Sequence, residues 1–232
     1  MRVAETTNVS VLLLVACVLG FTAGWPASAR ADFITNDPSL PPRGGHYVSQ
    51  FHSEYPTPAG LLRLNDIIHK GFSNITRTPT GPDEVETFDS LLIATGSIVG
   101  GPSFPLRLRG PVSVLTKGKV GNVTGLFETE MLSMDLTGAS PFGPVEIRES
   151  PTLGSLGQVE ITDIGGGFFR FSSFFDVFTE LTLDGGQTFI PQNPQAGPTR
   201  VNLVPEPSAV ALVGIGILGV IGRRWLRRRK TA

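Results

Sequence analysis

The side chains able to do chemistry are few in this chain of 232 residues. Its only cysteine, Cys17, falls inside an apolar run near the start, so a chain trimmed beyond it has no thiol nucleophile, thiolate metal ligand or disulfide. The three histidines are His46, His52 and His69. His46, His52 and Glu54 offer nitrogen and oxygen ligands for a divalent metal, yet their spacing matches no ligand motif and reads as solvated chain. Glu146 and Glu149 bracket Arg148 and could serve as paired carboxylates, although alternating charge on an exposed strand face explains them with fewer assumptions. No nucleophile elbow, H-E-x-x-H, P-loop or EF-hand loop occurs. The expectation is a protein that is not an enzyme, with no catalytic residues, no metal and no cofactor.

The chain's most specific pattern invites chemistry by another molecule. Val204-Pro205-Glu206-Pro207-Ser208 precedes an uncharged stretch from Ala209 to Gly222, and then come Arg223, Arg224, Trp225, Leu226, Arg227, Arg228, Arg229 and Lys230. Proline keeps the residue before it extended and is tolerated in the first turn of a helix, so Pro205, Glu206 and Pro207 form a rigid acidic peptide ahead of a helix. The uncharged stretch is short, about 21 Å as a helix. Counted from 207 to 226 it reaches the ~30 Å of a hydrocarbon core, provided the arginines snorkel and Trp225 lies in the interface. The basic cluster Arg223, Arg224, Arg227, Arg228 and Arg229 acts as a stop-transfer signal that stays cytoplasmic, leaving everything before Pro205 outside. At the other end, Arg2, the apolar run from Val9 to Phe21 and the small residues Ala27-Ser28-Ala29-Arg30-Ala31 have the layout of a signal peptide over 1–31. Signal peptidase would cut after Ala29 or Ala31, and Ala31 is preferred because a polar chain then begins at Asp32. Leu14-Val15-Ala16-Cys17 also fits a lipobox, but the residues after Cys17 stay apolar through Trp25.

Pro205-Glu206-Pro207, the glycine-rich apolar segment and the terminal arginines together resemble the PEP-CTERM sorting signal, over about the last thirty residues. The resemblance implies that residues 204–232 are recognised by an exosortase-type sorting enzyme in the membrane. It also implies that Pro205, Glu206 and Pro207 are acted upon and do not catalyse. Because that family is tied to exopolysaccharide, a polysaccharide partner is a further expectation.

Between the two ends, residues 32–60 are rich in Pro, Ser and Gly and read as an extended arm. From Leu61 to Leu203 short apolar or alternating runs are broken by turn residues. These runs predict roughly ten strands, with hairpin turns at Lys117-Gly118-Lys119, Gly165-Gly166-Gly167 and Asp184-Gly185-Gly186. The expected fold is an all-β antiparallel sandwich over 61–203, flanked by a signal-peptide helix and a C-terminal transmembrane helix. Phe168, Phe169, Phe171, Phe174, Phe175 and Phe178 form the densest apolar cluster and read as core rather than as a binding surface.

Residues 32–204 hold 11 basic and 18 acidic residues, a net charge of −7 that repels nucleic acid, so no nucleic-acid partner is expected. Both tryptophans, Trp25 and Trp225, lie in the terminal signals, and both tyrosines, Tyr47 and Tyr55, lie in the arm. The 61–203 segment therefore lacks the amphipathic aromatics that usually stack on sugars. The reading that follows is an exported surface or extracellular-matrix protein with a structural ectodomain. Its alternative is a polysaccharide- or protein-binding module at the cell surface.

Overall fold

The computed structural model describes residues 33–205. The expected signal peptide with Ala29 and Ala31, and the tail from Glu206 and Pro207 through Arg223, Arg224, Arg227, Arg228 and Arg229, lie outside the described residues, as do both expected terminal helices. Among the described residues no helix is long and apolar enough to cross a membrane.

Four long strands set the frame: β4 (Gly60–Thr80), β5 (Asp83–Ile98), β6 (Ser103–Thr116) and β7 (Gly125–Ser140). The remaining walls are each broken into two shorter strands. These are β2 (Gly45–Ser49) with β3 (Ser53–Thr57), and β8 (Gly143–Glu149) with β9 (Ser155–Gly165). The other two are β10 (Phe168–Val177) with β11 (Thr179–Thr182), and β12 (Ile190–Pro191) with β13 (Thr199–Pro205). A short β1 (Phe33–Thr35) lies beside β10.

Every pairing is antiparallel. β4 pairs with β5, β5 with β6, β6 with β7, β7 with β9, β9 with β10, β10 with β13, β13 with β2, and β2 with β4. That ring of eight closes the sheet into an up-and-down barrel. The expected sandwich is corrected on this point. Alternation of buried and exposed residues is the same in both architectures, and only the contact between the last strand and the first, Val201 opposite Ser49 through Pro205 opposite Gly45, decides between them. Closure also leaves the ring without the unpaired edge that an open sheet would expose.

At the far end β3, β8, β11 and β12 prolong the walls. β3 pairs with the start of β4, β8 with the end of β7, β11 with β8, and β12 with β11. The Asn193 amide donates to the Glu54 carbonyl at 2.7 Å and ties this second tier together.

Residues 33–57, where proline content points to an extended arm, supply three strands, two of them in the barrel wall. Their alternation in Gly45–Ser49 and Ser53–Thr57 outweighs the flanking prolines because the barrel cannot close without them. The two expected strands Leu61–Ile68 and Gly71–Thr78 are one strand, β4, which bends at three irregularities in its pairing with β5. Asp66 and Asn74 both take left-handed backbone there, and the Asn74 amide donates to Asp89 Oδ2 at 2.6 Å. These bends let a strand of 21 residues coil around the core.

Inward residues alternate along every wall. Leu106, Leu108 and Val112 of β6 meet Met131, Met134 and Leu136 of β7, Ile147 of β8, Phe171 and Phe175 of β10, and Leu181 of β11. Each fully buried Leu, Ile or Phe of this set contributes about 1.5–3 kcal/mol by transfer from water. Where β6 runs closest to β7, Gly110 and Gly138 leave no room for a side chain. A Cβ on Gly110 would overlap the Asp135 carbonyl oxygen, and one on Gly138 would overlap that of Arg107.

Candidate functional site

The described part of the sorting tail is a piece of barrel wall. Strand β13 runs to Pro205, with Leu203 opposite Tyr47, Val204 opposite His46 and Pro205 opposite Gly45. Leu203 is buried among the core side chains. Pro205 is the last residue of the strand, where a residue without an N–H disturbs the ladder least. Strand β13 therefore reaches the first proline of the Pro205-Glu206-Pro207 sequence with no spacer residue.

Inside the barrel most of the buried polar side chains are paired with one another. Tyr47 Oη lies 3.0 Å from Ser173 Oγ, Tyr55 Oη 2.6 Å from Thr179 Oγ1, and Ser53 Oγ 2.6 Å from Thr199 Oγ1. Gln192 receives the Thr179 hydroxyl and donates to the Gly197 carbonyl and to Thr199 Oγ1. Burial pushes both tyrosine hydroxyls up to about 12. His69 Nε2 sits 2.6 Å from Ser90 Oγ, and burial drives this imidazole down to about 4, so it is neutral at physiological pH.

Among the described residues Glu86 is the one carboxyl in the core, 1% exposed. Burial raises it to about 8, opposed by the Thr116 hydroxyl that donates to Oε2 at 3.0 Å and reinforced by the neighbouring Glu84. Lys119 is close enough to feel both carboxylates. Glu86 Oε1 and Thr129 Oγ1 have no hydrogen-bond partner, and both border a cavity of about 30 Å³ covered by Leu40 and Pro41. Residues 36–44 lie over this end of the barrel, held in part by Arg77 Nε, which donates to the Leu40 carbonyl at 2.8 Å.

A second cavity of about 60 Å³ lies further in, against His69, Phe72, Phe88, Met131 and Met134. Cavities on this scale admit one or two waters or a single small apolar molecule, well below the ~150 Å³ that accommodates benzene. The eight-stranded ring is filled by its own side chains.

The candidate ligands named from the sequence are not brought together as a metal set. His52 Nε2 and Arg63 Nε both contact Glu54 Oε1, at 3.1 and 2.8 Å, and Arg63 holds the Glu54 carboxyl below its usual range. His46 lies on β2, and His69 is inside the barrel. Among the described residues no group of three or more His, Cys, Asp or Glu side chains could hold a metal ion.

Glu146 and Glu149 do not face one another across a cleft. Three residues apart on β8, they point to opposite faces of the sheet. Glu149 accepts the Ser155 hydroxyl at 3.1 Å. Arg148 turns instead to Glu180, at 2.7 Å, and stacks 3.5 Å over the Phe189 ring.

The phenylalanine cluster divides by parity. Phe171 and Phe175 are core, whereas Phe168 is exposed and Phe174 lies under Arg200, whose guanidinium is 4.4 Å from the ring and bonded to both oxygens of Asp176. Surface grooves lie near Arg43 and Asn74 and near Pro56, Asp184 and Thr188.

A model of the PEP-CTERM protein-sorting motif matches residues 203–229. The chain carries a PEP-CTERM sorting motif. Recognition by an exosortase, export and processing at the membrane follow from that motif. The match begins at Leu203, so the PEP-CTERM segment overlaps the barrel by three residues of β13. No curated protein and no solved structure matches the chain.

Sequence reasoning misses the interior polar groups. It places Tyr47 and Tyr55 in an arm and gives His69 and Glu86 no role. Their signal is parity, since Glu86 is in step with Phe88, Ser90, Leu92 and Ala94, all buried.

Proposed function

We propose that the protein is a non-enzymatic structural component of the cell surface or extracellular matrix. In this reading the sorting enzyme acts on Pro205-Glu206-Pro207 and releases the barrel from a membrane-anchored tail. The observation that carries the proposal is the continuity of β13 with the motif, which makes the rigid barrel itself the delivered unit. The filled interior supports a structural role, because the Tyr47, Tyr55 and His69 side chains are already paired with Ser173, Thr179 and Ser90 and the interior cavities are too small for a polymeric or drug-sized substrate. A non-catalytic role also agrees with the lack of opposed carboxylates at Glu146 and Glu149.

The test compares a host that has its exosortase with one from which it has been deleted. In the first, the mature species should start near Asp32, end near Pro205 and be recovered from the surface or matrix fraction. In the second, the chain should keep Arg223 to Ala232 and stay with the membrane. Intact mass reads both ends at once. A tail retained in both hosts would overturn the proposal.

A further inference from the structure

The two ends of the barrel differ in what they expose. Antiparallel pairing fixes which connections share an end with Pro205: the β1–β2 connection over residues 36–44, the β4–β5 hairpin at Thr80–Asp83, the β6–β7 connection, and the β9–β10 hairpin at Gly165–Gly167. At or beside this exit end stand Ile34, Val120, Val123, Leu126, Ile164 and Phe168, each between 38% and 63% exposed. The far end shows two large apolar side chains, Val99 and Phe142, and the second of these stacks on Phe104.

The exit-end residues sit on connected elements. Val120 N donates to the Pro82 carbonyl at 3.0 Å, joining two of the tips. Ile34 lies opposite Arg170 on β10, and the β9–β10 ribbon extends past the last buried pair, Ile161 with Phe171. Apolar side chains on protruding turns lose their contact with water only if something covers the end as a whole.

After Pro205 only Glu206, Pro207 and Ser208 precede the uncharged run that starts at Ala209. Three residues reach at most about 10 Å when fully extended. With the run in the bilayer, the exit end is held within the depth of the headgroup layer, where interfacial apolar side chains bury themselves by about 5–10 Å.

We propose that the exit end is a membrane-contacting face. Before the tail is cut, Val120, Val123, Leu126, Ile164, Phe168 and Ile34 rest in the bilayer interface with Lys119 and Arg170 beside them. The sorting enzyme then meets Pro205-Glu206-Pro207 at the membrane surface, against a barrel already docked. This inference rests on the reading that the tail is inserted in the membrane before processing.

Single-cysteine variants of the full chain test it, built on Cys17→Ser and labelled with an environment-sensitive fluorophore in phosphatidylcholine vesicles that carry nitroxide-labelled headgroups. Labels at Val123→Cys and Phe168→Cys should shift to the blue and lose emission to the nitroxide. Labels at Val99→Cys and Phe142→Cys should do neither. A label at Leu218→Cys reports insertion of the tail. If 218 is inserted and 123 and 168 behave like 99 and 142, the docking face is refuted and the tail reading stands. If 218 is not inserted, both fall. A blue shift at 123 and 168 without nitroxide quenching means that protein covers the end, and this also refutes the proposal. Val99, Val123, Phe142 and Phe168 are all exposed, so labels there do not enter the core.

Discussion

Replacing Glu86 with Gln should remove most of the alkaline instability of the barrel. In the folded chain this carboxyl is raised to about 8 from its ordinary 4.5, first by burial and then by Glu84. The folded state therefore holds a proton that the unfolded state gives up, and stability is lost as pH rises from the lower value through the higher one. His69 works in the opposite sense. Its imidazole, lowered from 6.5 to about 4, costs stability as pH falls through that window. Between the ordinary carboxyl value and 6.5 the two slopes roughly cancel, and above 6.5 only Glu86 remains. At about 1.4 kcal/mol per pKa unit, the wild-type barrel should lose about 2 kcal/mol between roughly pH 6.5 and pH 9. In the Glu86→Gln variant the amide keeps an acceptor for the Thr116 hydroxyl and cannot ionise, so its stability should be flat across that range. Urea unfolding of the purified mature protein at a series of pH values measures both profiles. Equal alkaline slopes for the two proteins would overturn this account, because they would mean that Glu86 is already ionised in the folded barrel.

Gly110→Ala should lower stability by several kcal/mol, because its Cβ collides with the Asp135 backbone and β6 cannot shift without breaking its register with β7; a thermal melt would show a large fall in Tm. Leu203→Ala should cost about 2–4 kcal/mol of unfolding free energy while leaving tail removal intact, since this residue packs in the core and Pro205-Glu206-Pro207 is untouched; denaturation and intact mass separate the two effects. Tyr55→Phe should cost about 1 kcal/mol in urea unfolding at neutral pH, as the buried Thr179 hydroxyl loses one partner but keeps Gln192.

Much of the fold is legible along the chain. The hairpins at Gly165–Gly167 and Asp184–Gly186 stand where glycines allow positive φ, and β11 pairs with β12 across the latter turn, Leu181 opposite Ile190. Tyr47 and Tyr55 are less legible, because strands β2 and β3 are short and prolines surround them. Their burial comes from partners more than a hundred residues away, Ser173 and Thr179. Glu86 is hidden for a different reason. A charged residue in an alternating strand is normally assigned to solvent, and only the closed interior, with Thr116 on the next strand and Leu40 across the opening, keeps it dry.

The linear chain carries the address of this protein, because the proline, acidic, apolar and basic parts of the sorting motif follow one another directly in the sequence. It also settles that the domain is built from antiparallel strands, since alternation and glycine turns act over neighbouring residues. That the sheet closes is a property of the folded chain alone. The pairing of β13 with β2 joins segments about 150 residues apart in the chain, and no local preference encodes it. The same pairing builds the first residues of the sorting motif into the barrel wall and sets the end from which the tail departs.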